Sequence, residues 1–355
     1  MIKIFNYMLK KYLIGIILAS IVLLGINLLI IFISELRHVD QHNYTYATLS
    51  KFLIYMLPQN FMEIFPYSLL IGSMISFGAM AYHSEIMAMN THGISIRKTI
   101  YIILLQTFLI SSLVNFIANF TTPNLSNKAF IMKNTALNKG INNSSLWFKN
   151  KDDFISVNKI ITDTKLENIK IYKINDGKLS SVITSKMATY KDTWYLKDAI
   201  IYDTYEDTTT NVDNLKIDKN DFIPLQIVKS KFTKKKFLSL EELYENIKLS
   251  QSLNIYSEDQ KVIFWKKSLL PFSCCIIVFI GLPFLFTPIR AINQSQKIIY
   301  GILFGITYFV ITSIIINAAL ILNVPALVCV LLSMAFFIIF GIYLFNRIIK
   351  TNIPV

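Results

Sequence analysis

From Tyr12 to Ile33 the chain runs for 22 residues without a charged side chain. At about 1.5 Å of rise per residue, a helix of that length crosses the roughly 30 Å hydrocarbon core of a bilayer. A secretory signal peptide is the competing reading. The run exceeds a typical signal-peptide apolar core and no small-residue cleavage site follows it, so it is read as a retained first span. Four further apolar runs follow the same logic. Phe52–Ala81 is long and carries Pro58, Glu63 and Pro66, which predicts a kinked helix with part of its length along the outer interface. Ile100–Phe120 ends at Thr121, Thr122 and Pro123, Ser268–Phe286 carries Pro271 and Pro283, and Ile298–Leu322 precedes a short turn at Asn323–Pro325. A sixth span ends near Phe345.

Charge orients these spans. The chain carries a net charge of +13, which by itself would suggest a polynucleotide partner. Residues 122–260, however, hold 21 Lys against 18 Asp and Glu, so the excess lies beside the apolar runs. Lys3, Lys10, Lys11, Arg97, Lys98, Arg290, Lys297, Arg347 and Lys350 fall on one side of a six-span arrangement, against the single acid Glu85. The positive-inside rule places that side, with both termini, in the cytoplasm. No basic patch is interleaved with aromatics, so nucleic acid is not an expected partner. With 54% hydrophobic and 16% charged residues, composition agrees with a membrane protein.

Two polar segments remain. Ala81–Lys98 (AYHSEIMAMNTHGISIRK) links the second and third spans, and Ser84, Ile86, Met89 and Gly93 predict a short cytosolic helix opened by a serine cap and closed by glycine. Residues 122–260 alternate β-branched and aromatic residues with charged ones, with Asn175-Asp176-Gly177 as a hairpin signal. Short strands with turn signals about ten residues apart predict an antiparallel sandwich or open barrel. Ser239 with Glu242 reads as a capping box at the start of a helix that returns the chain to the membrane. The expected domains are therefore 1–121 with the link helix at 84–93, the insert at 122–260, and the last spans at 261–355.

Chemistry of its own is not expected in this chain. No Gly-rich phosphate loop precedes Lys178, the only lysine that follows a glycine. His38 and His42 lie across the membrane from His83 and His92, so the four do not make one metal site, and no metal or other cofactor is expected. Cys274, Cys275 and Cys329 sit inside apolar runs without ligand spacing and read as buried thiols. Glu63 is the only acid well inside a span, short of the relay that a proton-driven pump needs. Energy for any transport has to arrive from outside, and the link helix is where a soluble partner would push.

Three stretches carry a resemblance to a known family: NYTYATLSKFLIYMLPQNFMEIFPYSLLIGSMISFGAMAYHSEIMAMNTHGIS, FTPIRAINQSQKIIYGILFGITYFV and the strand-rich insert. Together they resemble the LptF/LptG permeases of lipopolysaccharide export. The likeness is closer to the LptG branch, through Asn43-Tyr44, His83-Ser84-Glu85 and Pro288-Ile289-Arg290. The resemblance implies six transmembrane α-helices with a periplasmic antiparallel β domain of jellyroll type between helices 3 and 4. It implies a heterodimer with an LptF-like permease, a dimeric ABC ATPase, an LptC-like bitopic protein, and lipopolysaccharide as cargo in the inner membrane of a Gram-negative bacterium. Ser84, Glu85, Met89 and Gly93 would then dock on the ATPase, and Arg37, His38 and Lys133 would hold lipid A phosphates. His38 stands where a lysine is frequent in LptG proteins, and Ile31 where some carry a lysine.

Each of these residues also has a plainer reading. Arg37 suits a snorkelling side chain paired with Glu35 or Asp40, Glu85 suits a charge favoured by the helix dipole, and Lys133 suits a solvated charge of the insert. Two other identities share the pattern: the LptF-like subunit itself, and a membrane-anchored receptor or assembly scaffold without transport.

Overall fold

The computed structural model describes residues 2–137, 146–150, 153–162, 164–175, 178–218, 222–223, 228, 235–252, 257–285 and 294–352. Asp176 and Gly177 of the expected hairpin turn, and Arg290 in the link after the fourth span, lie outside them. In chain order the helices are α1 (Ile2–Leu36), α2 (Tyr46–Tyr82), α3 (Glu85–Thr91) and α4 (Ile96–Ala136). Six strands follow: β1 (Leu146–Asn150), β2 (Asp153–Thr162), β3 (Lys165–Asn175), β4 (Lys178–Tyr190), β5 (Trp194–Asp203) and β6 (Thr208–Ile217). Then come α5 (Leu240–Ser252), α6 (Glu258–Ser268), α7 (Leu270–Leu285), α8 (Gln294–Ile321) and α9 (Ala326–Asn352). The chain divides into two compact units, one of residues 1–34, 56–125 and 257–355, the other of 35–55 and 126–256.

The first unit is helical. α1, α2, α4, α8 and α9 are each long and apolar enough to cross a membrane, and α6 with α7, joined at a 64° bend, is long and apolar enough only when the two are taken together, giving five spans among the described residues, or six if that pair is one. The bend falls at Leu269, two residues before Pro271, which as the second residue of α7 occupies the first turn where a proline is best accommodated. α2 is the hub: 72% of its most apolar stretch is buried, against 17% for α1. Phe65, Leu69, Leu70, Met74 and Phe77 of α2 form one cluster with Tyr12 of α1, Ile103 of α4 and Cys274, Ile277 and Val278 of α7. Glu258 of α6 ties that helix to the start of α9, accepting the Ala326 N–H at 3.3 Å while pairing with Lys261 at 2.6 Å.

α2 is assigned as one helix through both prolines. α4 departs more from expectation, continuing past Pro123 to Ala136 where the third span was expected to stop near Phe120. Proline withholds one backbone donor there, and the side chains of Thr121 and Asn124 donate to the Ile117 and Phe120 carbonyls at 3.2 and 3.5 Å. Residues 122–136, read from sequence as the beginning of the insert, are thus helical.

The second unit holds the strands. They form one antiparallel sheet in the order β1-β2-β3-β4-β5-β6, a meander in which each strand pairs with its chain neighbour. Asn175 faces Lys178 across the expected hairpin. The antiparallel insert is as expected, and among the described strands it is a single sheet without a crossover. Its buried face packs around Trp194, whose indole N–H donates to the Ile223 carbonyl at 3.0 Å beside Phe222. The capping box at Ser239 forms in both directions: the Ser239 hydroxyl accepts the Glu242 N–H at 3.1 Å, and the Glu242 carboxylate accepts the Ser239 N–H at 2.8 Å.

Alternation along these strands breaks in one row that runs across them. Buried positions run Ile155, Val157, then Ile160 on β2; Leu166, then Ile169 and Ile171 on β3; Trp194, Leu196, then Ala199 on β5. Asn158, Asn168, Lys186 and Asp198 are the exposed residues at the switch. Asn168 and Asp198 both have φ of 51°, the left-handed conformation that Asn and Asp tolerate best. Each strand therefore changes phase while its pairing register stays intact, with Glu167 opposite Met187 and Ile169 opposite Ser185.

Candidate functional site

The link between α2 and α4 is built from two left-handed joints and seven helical residues. Ser84 occupies the N-cap position of α3 with φ of 56°, and its hydroxyl makes no capping bond. The expected serine cap is therefore present by position but not by chemistry, since the left-handed backbone turns the side chain away from the N–H groups it would serve. At the other end Gly93, at φ 88°, donates its N–H to Asn90 O at 3.0 Å, and Ile94 donates to Met89 O at 3.0 Å. That pair of bonds is a Schellman closure, which needs a residue at ease in the left-handed region. Gly93→Ala is expected to cost about 1 kcal/mol and Gly93→Asn less. Amide exchange at Gly93 and Ile94 checks this, with acceleration of about fivefold expected for alanine.

α3 turns Ile86 inward, where it is buried in the helical core, and packs Met89 against the same cluster. Met87, 70% exposed, and Asn90 and Thr91 face outward. Glu85 does not point to solvent alone. Lys11 Nζ lies 2.5 and 2.8 Å from its two carboxylate oxygens, and the Tyr7 hydroxyl donates to Oε2 at 2.9 Å. Tyr7 and Lys11 are four residues apart on α1, with the ammonium 4.7 Å from the centre of the tyrosine ring. Burial works against the charged carboxylate, but the bonds from Lys11 and Tyr7 prevail and hold its pKa below the ordinary value.

The same end of α1 is fastened to its neighbours by side chains that reach backbone atoms. Ser76 donates to Lys11 O at 2.8 Å, Gln106 donates to Phe5 O at 2.9 Å, and Tyr12 donates to Leu69 O at 3.3 Å while lying 3.1 Å from the Thr107 hydroxyl. Farther along α1, Ile14, Ile17, Leu18, Ile21 and Val22 are exposed apolar side chains. A groove of about 460 Å³ runs between α1, α2 and α8, walled by Leu23, Ile26, Ile64 and Phe309. Glu63 lies at this groove and accepts a hydrogen bond from Gln59 at 2.9 Å.

The residues expected to hold phosphates lie in the second unit, around Glu35. Lys133, near the end of α4, pairs with Glu35 Oε1 at 2.5 Å and lies 5.2 Å from the centre of the Phe52 ring. Tyr44 donates to Glu35 Oε2 at 3.3 Å, and burial together with the adjacent carboxylate pushes its phenol pKa up. His38 donates its backbone N–H to Glu35 O at 2.9 Å. Arg37 is exposed on the same turn, where its carbonyl accepts a bond from Gln41 at 2.9 Å. The Glu35 carboxylate thus pairs with Lys133, while its backbone carbonyl holds the turn at His38. Tyr44, Leu49 and Leu137 close the cluster from the apolar side.

Sequence reasoning singled out Glu85 and Lys133 but not the partners that hold them. Tyr7 and Lys11 carried one signal, the four-residue spacing that puts them on a single helix face. Glu35 carried none, since 98 residues separate it from Lys133. Among the described residues no group of His, Cys, Asp and Glu is arranged to hold a metal ion.

Comparison with known proteins matches this architecture from end to end. A family model described as Lipopolysaccharide export system permease LptF/LptG matches residues 6–347. Lipopolysaccharide export system permease protein LptG of Haemophilus influenzae is 26% identical over 98% of this chain and 99% of its own length. The protein of the same description from Escherichia coli K12 is 22% identical over 96% of this chain and 97% of its own length. A match that begins within α1 and ends within α9 takes in both units, and on that ground the chain belongs to the lipopolysaccharide export system permease LptF/LptG family.

Proposed function

We propose that the chain is a transmembrane permease subunit of an ATP-driven exporter that takes lipopolysaccharide from the outer leaflet of the inner membrane toward the outer membrane. The observation that carries this reading is the family match over residues 6–347, with both curated relatives described as LptG. That description favours the LptG-like over the LptF-like role. A receptor or scaffold without transport has no such support. The subunit is non-catalytic in this reading, for want of a nucleotide-binding loop, and hydrolysis falls to a dimeric ABC ATPase. An LptF-like permease completes the membrane pore, and an LptC-like bitopic protein receives the glycolipid.

Position and charge agree with those roles. Lys11, Arg97 and Lys98 flank α3, so the positive-inside rule puts α3 and both termini in the cytoplasm and the strand-rich insert in the periplasm. Ser84, Glu85, Met89 and Gly93 would shape the helix that the ATPase engages. Arg37, with His38 and Lys133 around Glu35, would meet the phosphates of lipid A at headgroup level, where charge-assisted bonds are strong. The apolar groove beside α1 and α8 suits acyl chains. Affinity purification in mild detergent, with protein identification and lipid mass spectrometry of the same sample, tests the whole reading. An ATPase, a second six-span permease and bound lipopolysaccharide are expected; a lone protein without glycolipid would move the assignment to a scaffold.

A further inference from the structure

We propose that Lys11 and Tyr7 are positioning residues that clasp Glu85, fixing the attitude of α3 and carrying its displacement directly to α1. The clasp rests on the reading of α3 as the helix an ATPase moves. Seven residues are too few for a helix to hold its own shape or direction in water. Both of its covalent connections turn through left-handed joints, at Ser84 and Gly93. Its apolar anchoring comes from Ile86 and Met89. Against that background a carboxylate with both oxygens engaged by two side chains of another helix is a substantial constraint, and it points toward α1 rather than toward the helices α3 already joins.

The geometry gives the clasp a use. α2 and α4 receive any movement of α3 through the chain itself, and α1, 74 residues away in sequence, is tied to α3 directly by the Lys11–Glu85 contact. The bonds from Ser76 and Gln106 fasten the backbone of the same segment to α2 and α4, and the Tyr12 hydroxyl reaches Leu69 O of α2, so the stretch Phe5–Tyr12 that clasps Glu85 is itself a firmly held piece. Beyond it α1 presents a long exposed apolar face and borders the groove that also meets α8. A push on α3 would therefore tilt the helix that walls the groove. An alternative role for Glu85, pairing with a basic residue of the ATPase, draws on the same carboxylate and does not need Lys11.

Charge exchange separates these roles. Lys11→Glu, Glu85→Lys, the double exchange and Tyr7→Phe would be purified with the ATPase and the second permease, and lipopolysaccharide released per ATP hydrolysed would be measured in liposomes. Each charge reversal is expected to lower that ratio by roughly tenfold, a usual size for coupling between sites. Tyr7→Phe should lower it less, and the double exchange should restore it to within about twofold of wild type, the residual difference reflecting the changed local field. A double exchange as inactive as Glu85→Lys alone, with Lys11→Glu active, overturns the clasp in favour of pairing with the ATPase. Failure of the wild-type chain to retain any ATPase refutes the coupling role of α3 itself, a different outcome from loss of rescue.

Discussion

Gly15→Ala prevents α1 from seating on α2, while the same substitution ten residues later, Gly25→Ala, stabilises the protein. A Cβ on Gly15 would stand 2.0 Å from Ser76 Oγ and 2.6 Å from Gly72 O. Ser76 has no room to yield, because its hydroxyl is committed to Lys11 O one turn away. The reciprocal position is as tight: a Cβ on Gly72 would lie 2.7 Å from the backbone nitrogen of Ile16. Backbone meets backbone here, so relief requires the helices to separate. Overpacking of this kind costs about 1–3 kcal/mol, and loss of the Ser76 bond adds about 1. Gly25 has nothing within 4 Å of its Cβ, and alanine there removes backbone freedom from the unfolded chain for a gain near 1 kcal/mol. Thermal unfolding of the purified protein in detergent is expected to shift down for Gly15→Ala, further down for Gly72→Leu, and up for Gly25→Ala. Equal shifts at residues 15 and 25 would mean that the crossing is looser than its distances imply. Gly281→Ala should fall between them, since the atom it would strike first is the terminal methyl of Met74, which can rotate away.

The spans were legible because long runs with at most one charge leave few alternatives: α1 and α2 contain the expected runs, α1 starting ten residues earlier, α8 matches its run to within a few residues, and α9 continues seven residues past Phe345. Two boundaries were not. Thr121-Thr122-Pro123 reads as a stop when proline is counted as a lost donor, but Leu125, Ala129 and Phe130 continue the helical spacing, and Ala129 is fully buried. Side-chain bonds from Thr121 and Asn124 add to the same turns, which a residue-by-residue propensity does not register. The bend at Leu269 was marked by Pro271, whose effect depends on whether the helix before it is continuous, and α6 was too polar to be read as part of a span. In the insert, alternation identified strands but not their phase change. Asn168 and Asp198 look like turn residues in sequence, yet within β3 and β5 they switch which parity faces the core. At the candidate sites, types and spacing picked out Glu85 and Lys133. Their partners come from helices 74 and 98 residues away, so only tertiary packing reveals that both charges are already paired.

That pairing makes Lys133 the residue whose loss is expected to matter most in the second unit. Glu35 is 8% exposed, and beside Lys133 its carboxylate accepts a bond from the Tyr44 hydroxyl, which belongs to an apolar cluster with Leu49 and Leu137. Lys133→Met removes the cation and leaves a buried carboxylate with the Tyr44 bond but no countercharge from Lys133, at a cost of up to about 3–5 kcal/mol. Glu35→Gln together with Lys133→Met should recover most of it, because the glutamine oxygen still accepts from Tyr44 and no unpaired charge remains buried. The recovery is what makes a lipid role testable. Lys133→Met alone confounds loss of fold with loss of a phosphate ligand, whereas the double variant is folded and lacks only the charge. Thermal unfolding measures the first effect, and photocrosslinking to lipopolysaccharide from a probe beside Arg37 measures the second. If Lys133 leaves Glu35 to meet lipid phosphate, the double variant unfolds near wild type but loses crosslinks. If the pair is only a staple between the end of α1 and α4, crosslinking stays at the wild-type level and Arg37→Glu alone abolishes it. In the first case Glu35→Gln by itself should strengthen crosslinking, since it frees the ammonium from an internal anion that the phosphate would otherwise have to displace.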